Sequence, residues 1–257
     1  MDMLTAIKFL TIFPAPIKSG AGESISKALP YFPVVGFLLG LILLGLHYLL
    51  SLFLPLQVTV ILLVIALVIM TGAHHIDGLI DTFDAMVIGK TREQRLSIMS
   101  DTRVGAFGIT AACLILLGKF VVLSNSTAFP GLLLMPVMAR WATVFTIIAF
   151  PAAKSSGMGY MVRRDAHWIH LISASIIAVI IVVLSCGLAK GCVLMIALLV
   201  FICGLAALFN KMFGGLTGDC YGALVETGEV ITVIIFISVG NLWIFPDINP
   251  LNIIGAM

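Results

Sequence analysis

Of the 257 residues, 61% are hydrophobic and 10% charged, and fourteen basic against twelve acidic side chains leave a formal net charge of +2. A mean hydropathy of +1.21, with about half or less of the charge of a soluble domain, excludes a water-soluble fold. The sequence shows no basic, aromatic-interleaved patch of the kind that grips nucleic acid.

The first apolar stretch, residues 3–13, is too short to cross a hydrocarbon core of about 30 Å, and Pro14 and Pro16 stop it. It reads as an interfacial or re-entrant helix. A lone Lys8 lies inside it, no basic residue precedes it and no small-residue cleavage pattern follows it. A removable signal peptide is therefore not expected, and the N-terminus is expected to stay in place. Seven apolar windows of roughly 20 residues, the length that spans the core, follow at 32–54, 56–72, 105–124, 129–150, 168–188, 192–213 and 230–245. Inside a bilayer each backbone amide must be satisfied within its own segment, and the alternation of barrel strands is missing, so the windows are expected to be helices. The expected fold is all-α: a polytopic transmembrane helical bundle of about seven spans plus the short N-terminal helix, in a single domain covering residues 1–257.

With seven spans, the loops on the N-terminal side hold Lys8, Lys18, Lys27, Lys90, Arg92, Arg95, Arg103, Lys154, Arg163, Arg164 and Lys211. The opposite loops hold Lys190, while Lys119 and Arg140 lie inside spans. That asymmetry places the N-terminal side in the cytoplasm, with the chain in a plasma or inner membrane. Eleven of the twelve acids lie on the same side, Asp247 being the exception, so chemistry is expected there, on loops 71–108 and 213–229. Cys113, Cys186, Cys192, Cys203 and Cys220 form no CxxC pair and read as small buried residues.

The second window runs into Thr71-Gly72-Ala73-His74-His75-Ile76-Asp77-Gly78-Leu79-Ile80-Asp81-Thr82-Phe83-Asp84. If the helix continues, Asp77, Asp81 and Asp84 stand at i, i+4 and i+7 and share one face. Carboxylates about 6 Å apart repel by roughly 3 kcal/mol at an effective dielectric near 20, so three of them call for a cation or a shared proton. All-oxygen ligation favours Mg²⁺ or Mn²⁺, whereas the adjacent His74 and His75 point apart and make poor joint zinc ligands. The plainer reading is a solvated, acid-rich helix end. Against it, Gly78 weakens the helix and signals close approach of a ligand or another backbone. Lys90, Arg92, Arg95 and Arg103 follow closely, and cations beside acids suit a phosphate ester bound through metal.

After the sixth window, Phe213-Gly214-Gly215-Leu216-Thr217-Gly218-Asp219 is a glycine-rich turn of the kind that can aim backbone N–H groups at phosphate oxygens. Asp219 and Glu226 share a face if the segment is helical, while Glu226 and Glu229 also suit the N-terminus of the last span through its dipole. Arg140 lies midway along the fourth window, where a buried charge must pair or line a polar cavity, so it is expected to bind phosphate or pair a carboxylate. Lys119 can snorkel to an interface. Arg163 and Arg164 read as topology determinants, His47 as structural, and Gly36 with Gly40 as a packing face.

Several of these strings together resemble the cobalamin synthase family, the adenosylcobinamide-GDP ribazoletransferases of late vitamin B12 biosynthesis, over nearly the whole chain. They are Phe9-Leu10-Thr11 before the proline break, Phe32-Pro33-Val34-Val35-Gly36, the run from His75 to Asp84, Met99-Ser100-Asp101-Thr102-Arg103-Val104-Gly105, Arg140, and Gly214 to Asp219 through Glu226. The His-x-Asp-Gly-x-x-Asp-x-x-Asp string is the specific one, and Ala85 and Thr102 depart from the family's usual Gly and Ser. The resemblance implies transfer of the phosphocobinamide group from adenosylcobinamide-GDP to α-ribazole or α-ribazole 5′-phosphate, releasing GMP and giving adenosylcobalamin or its 5′-phosphate. In that scheme Asp77, Asp81 and Asp84 hold one or two Mg²⁺ ions, and Asp101 or Asp219 completes the shell. Arg103 and Arg140 bind phosphate oxygens, with Gly214, Gly215, Thr217, Gly218 and Glu226 also on the substrate. His75 or a free aspartate takes the proton of the attacking hydroxyl. The lipid bilayer is a partner, and other pathway enzymes and a second copy of the chain are left open.

Other classes fit less well. A CDP-alcohol phosphotransferase needs an earlier Asp where Ala73 and His74 stand, and a prenyltransferase needs two widely separated Asp motifs. An ion-coupled transporter would place acids deep within several spans, whereas here they are expected at span ends.

Overall fold

The computed structural model describes residues 2–14, 25–125 and 129–240. In chain order the elements are α1 (Asp2–Leu10), a 3₁₀ helix (Ile25–Tyr31), α2 (Phe32–Ser51), α3 (Leu56–Met70), α4 (His74–Ile88), α5 (Arg92–Ile98), α6 (Ala106–Leu123), α7 (Phe129–Ala149), α8 (Met158–Arg164), α9 (Trp168–Cys186), α10 (Leu188–Phe213) and α11 (Gly218–Gly240). Each of the seven apolar windows overlaps a helix. Among the described residues, six helical segments are long and apolar enough to cross a membrane, and α3 with α4, bent by 87° at their junction, can make a seventh. The protein is a polytopic helical membrane bundle. Pro16, Lys18, the end of the last window at 241–245 and Asp247 lie outside the described residues.

Two helices form the centre. Inside the protein, 83% of the α7 span and 67% of the α11 span is buried, against 22–33% for the other four. The outer helices therefore keep large apolar side chains such as Leu184, Ile196 and Val200 on their outward faces, which lipid covers at no hydrophobic cost. Gly36 and Gly40 let α2 approach α7 closely: a Cβ at Gly40 would stand 2.8 Å from the Leu133 Cα. At the N-terminus, α1 is tied back to the bundle by Phe9 stacked on Phe32 at 5.8 Å and by the Ile12 N–H donating to the Met70 carbonyl at 2.9 Å.

Two expectations change. The second window does not continue as one rod, because Gly72 (φ 64°) and Ala73 (φ 58°) are both left-handed and turn the chain through 87°. α3 alone is 15 residues long, so the two halves cross together as a broken span or turn back as a re-entrant loop. At Ala73 this conformation costs about 1–2 kcal/mol. The last helix starts at Gly218 rather than near Val230, so most of the expected loop 213–229 is helical. Thr217 makes that possible as its cap, its hydroxyl accepting from the Cys220 N–H at 3.2 Å.

Candidate active site

The site is organised by the crossing of α4 over the start of α11. A Cβ at Gly78 would stand 2.8 Å from both the Cα and the carbonyl oxygen of Asp219, and one at Gly222 would stand 3.0 Å from the His75 carbonyl oxygen. The motif glycine therefore serves the approach of another backbone, and the approach carries Asp219 in among the acids of α4. Asp77 is exposed, while Asp81 and Asp219 are half-buried. The charges of Asp77, Asp219 and Asp84 all bear on the Asp81 carboxyl.

Asp84 has a different duty. It is buried, and its two oxygens accept from the Gly105 N–H at 2.7 Å and the Gly108 N–H at 2.9 Å. It thus caps the start of α6 at the positive end of the helix.

Among the described residues no three His, Cys, Asp or Glu side chains are gathered closely enough to enclose a metal ion by themselves. Asp77, Asp81 and Asp219 offer oxygen donors, the ligand type that hard divalent cations take. Mg²⁺ is ordinarily held by only one or two carboxylates, with substrate phosphates and water completing its shell.

The glycine-rich turn is occupied with structure. Gly214 (φ 71°) ends α10 in the left-handed conformation. A Cβ at Gly215 (φ 144°) would stand 2.5 Å from the Ala152 carbonyl carbon. Leu216 pairs with the 151–153 strip: its N–H donates to the Pro151 carbonyl at 2.8 Å, and its carbonyl accepts from the Ala153 N–H at 2.9 Å. Thr217 caps α11 and donates to Asp219 Oδ2 at 3.2 Å, while Gly218 is the first residue of α11. These residues position Asp219.

Arg140, Glu226, Glu229 and Lys119 meet inside the bundle. Lys119 of α6 donates to Glu226 at 2.6 Å and to Glu229 at 2.5 Å, and Arg140 of α7 donates to the other oxygen of Glu229. Both acids sit in α11, about 12 and 16 Å along its axis from Gly218 at 1.5 Å per residue. They are neither at a span end nor at a helix N-terminus, because α11 starts earlier than expected. All four side chains are at most 4% exposed, so Lys119 does not snorkel, and Arg140 and Glu226 do not line an open surface. His75 lies near this network.

Asp101 and Arg103 pair with each other at 2.6 Å on the loop before α6, with Arg103 88% exposed. The Arg103 hydrogen bonds hold the Asp101 carboxyl down at about 2. The cations gathered beside the acid cluster are others. A cavity of about 770 Å³ is lined by Arg92, Lys154, Arg163 and Arg164, with Tyr160 and Ser155. The charge of Lys154 reaches Asp219, which joins this basic cavity to the acids. Arg92 also ties loops together, donating to the Phe213 carbonyl at 2.8 Å and to the Ala153 carbonyl at 2.9 Å, while Arg95 donates to the Met212 carbonyl at 3.2 Å. Phe213 and Met212 end α10, so α5 caps that helix with positive charge. The signal for the cavity was in the sequence, as three cations between positions 154 and 164 on the acid-bearing side, but they served equally as topology determinants.

Residues 2–237 match the family described as cobalamin-5-phosphate synthase. An adenosylcobinamide-GDP ribazoletransferase of Geotalea daltonii is 35% identical over 240 residues, 92% of this chain and 96% of that protein. Proteins of the same name from Brevibacillus brevis and Desulforamulus reducens are 36% and 37% identical, over 94% and 90% of this chain and 98% and 93% of theirs. No solved structure matches the chain.

Proposed function

The chain belongs to the cobalamin-5-phosphate synthase family, and from that premise we propose that it transfers the phosphocobinamide group of adenosylcobinamide-GDP to α-ribazole or its 5′-phosphate, releasing GMP. The oxygen of the ribazole hydroxyl forms a bond to the cobinamide-bearing phosphorus as the bond from that phosphorus to GMP breaks. The hydroxyl proton passes to His75 or to an aspartate of the α4–α11 cluster. Asp77, Asp81 and Asp219 would hold Mg²⁺, with Mn²⁺ as an alternative, and the ion would supply positive charge against the pyrophosphate and the leaving GMP. Asp84 secures α6 beside them. The excess of Lys and Arg on the N-terminal side puts that terminus and the site on the cytoplasmic face of a plasma or inner membrane.

The observation that carries this reading is the α4–α11 contact at Gly78, which brings Asp219 from the far end of the chain to Asp77 and Asp81. Pyrophosphate exchange needs charge neutralisation and in-line placement more than a covalent nucleophile. Glu226 and Glu229 deep in α11 are the one feature an ion-coupled transporter would share. There, however, two protein cations, Lys119 and Arg140, balance the two acids, leaving no net charge to complement a transported cation.

The test is GMP release and corrinoid product formation from adenosylcobinamide-GDP and α-ribazole, with and without Mg²⁺, in wild type and Asp81→Asn. Both products should appear in wild type with Mg²⁺ and be lost on chelation and in the folded variant. Wild type that made neither product with Mg²⁺ would overturn the reading.

A further inference from the structure

We infer that the basic cavity beside the acid cluster holds the 5′-phosphate of a nucleotide: the guanylate half of adenosylcobinamide-GDP, or α-ribazole 5′-phosphate. The inference rests on the transferase reading and adds a second subsite to it. At about 770 Å³ the cavity falls within the usual range of about 300–1,000 Å³ for small-molecule sites, a scale that suits a nucleotide rather than a corrinoid macrocycle.

Arg92, Lys154, Arg163 and Arg164 all line it, and the ion pair there is the exposed contact of Arg164 with Asp165 at 3.0 Å. A guanidinium carries five N–H donors. Arg92 uses its Nε and Nη2 on the Phe213 and Ala153 carbonyls, and Arg163 uses its Nε on the Phe150 carbonyl at 3.1 Å. Both are thereby fixed in place with donors left over, as charge-assisted binding of a phosphate monoester requires. Tyr160 adds an aromatic face for a base or ribose, and Ser155 a hydroxyl.

Position makes the cavity part of the site. Its floor at Pro151 and Ala153 is bonded to both sides of Leu216, two residues before α11 begins, and Lys154 interacts with Asp219. A phosphate held here is therefore fixed relative to the carboxylates across which the pyrophosphate reacts. Lys154 itself is held lightly, donating to the Ser100 hydroxyl at 2.9 Å, and is free to turn to an anion.

The experiment uses the full chain in lipid nanodiscs, comparing wild type, Lys154→Gln, Arg164→Gln and, on the opposite face, Lys190→Gln. Binding of GMP and of α-ribazole 5′-phosphate is measured by calorimetry, and KM is measured for each substrate. Lys154→Gln and Arg164→Gln should each weaken one nucleotide at least tenfold, with Lys190→Gln as wild type. Weaker GMP binding together with a raised KM for adenosylcobinamide-GDP assigns the cavity to the guanylate. A raised KM for α-ribazole 5′-phosphate, with that for α-ribazole unchanged, assigns it to the acceptor. Acetylation of Lys154 in wild type, read by mass spectrometry, needs no variant to fold and should be suppressed by the bound nucleotide. If both variants bind both nucleotides as wild type does and Lys154 is not protected, the cavity assignment falls while the transferase reading stands. Wild type that binds GMP with protection of Lys154 but forms no corrinoid product supports the cavity as a nucleotide site and overturns the transferase reading.

Discussion

Replacing Gly78 with alanine inserts one carbon where α4 crosses α11. The new Cβ would stand 2.8 Å from the Asp219 Cα and carbonyl oxygen and 3.2 Å from its carbonyl carbon. Carbon atoms prefer separations of about 3.5–4.0 Å, so the helices must part by roughly 0.7–1.2 Å. The opposing atoms are backbone and cannot rotate away as the end of a side chain would. Overpacking of this kind costs about 1–3 kcal/mol. A shift near 1 Å between Asp219 and the α4 acids should lower turnover on the order of 10²-fold. The assay pairs thermal unfolding in micelles with GMP release under saturating substrates. Gly45→Ala on α2 is the control, since a Cβ there meets nothing within 4 Å, and it should leave both readouts near wild type. A Gly78→Ala protein with wild-type turnover and unfolding temperature would refute the crossing as the device that assembles the site.

Two further outcomes follow from the same geometry. Lys119→Met leaves Glu226 and Glu229 short of a counter-charge in the bundle interior and should cost about 3–5 kcal/mol of stability; Glu226→Gln on that background should recover part of the loss, and equal stabilities of single and double variants would contradict the network. Asp84→Asn exchanges a charged cap of α6 for a neutral one and should lower stability by about 1–3 kcal/mol while reducing turnover less than Asp81→Asn does. The reverse ranking would move Asp84 into the chemistry.

Much of the architecture was legible because the relevant properties are local. An apolar run either is or is not long enough to cross a bilayer, and each of the seven windows overlaps a helix. Helical period alone placed Asp77 and Asp81 on one face, and the cost of a glycine within a helix pointed to a close approach at Gly78. Less legible were features that depend on where a helix begins. The charged residues 219, 226 and 229 read as a loop and an N-terminal turn, because no apolar run covers them. Thr217 caps a helix that starts before them, and Lys119 and Arg140 supply the counter-charges that let its acids enter the bundle.

By itself the sequence determined residence in a membrane, the helical class and the acid-rich motif, since hydropathy and a 3.6-residue period act over distances of a few turns along one chain. Only the tertiary structure decided which acid joins Asp77 and Asp81, that Asp84 caps α6, that Arg140 faces Glu229, and that Arg92, Lys154, Arg163 and Arg164 surround one cavity. Those facts depend on the left-handed turn at Gly72 and Ala73 and on how closely α4 and α11 cross. A crossing is set by the shape of two surfaces far apart in the chain, and neither surface carries a record of the other in its own periodicity.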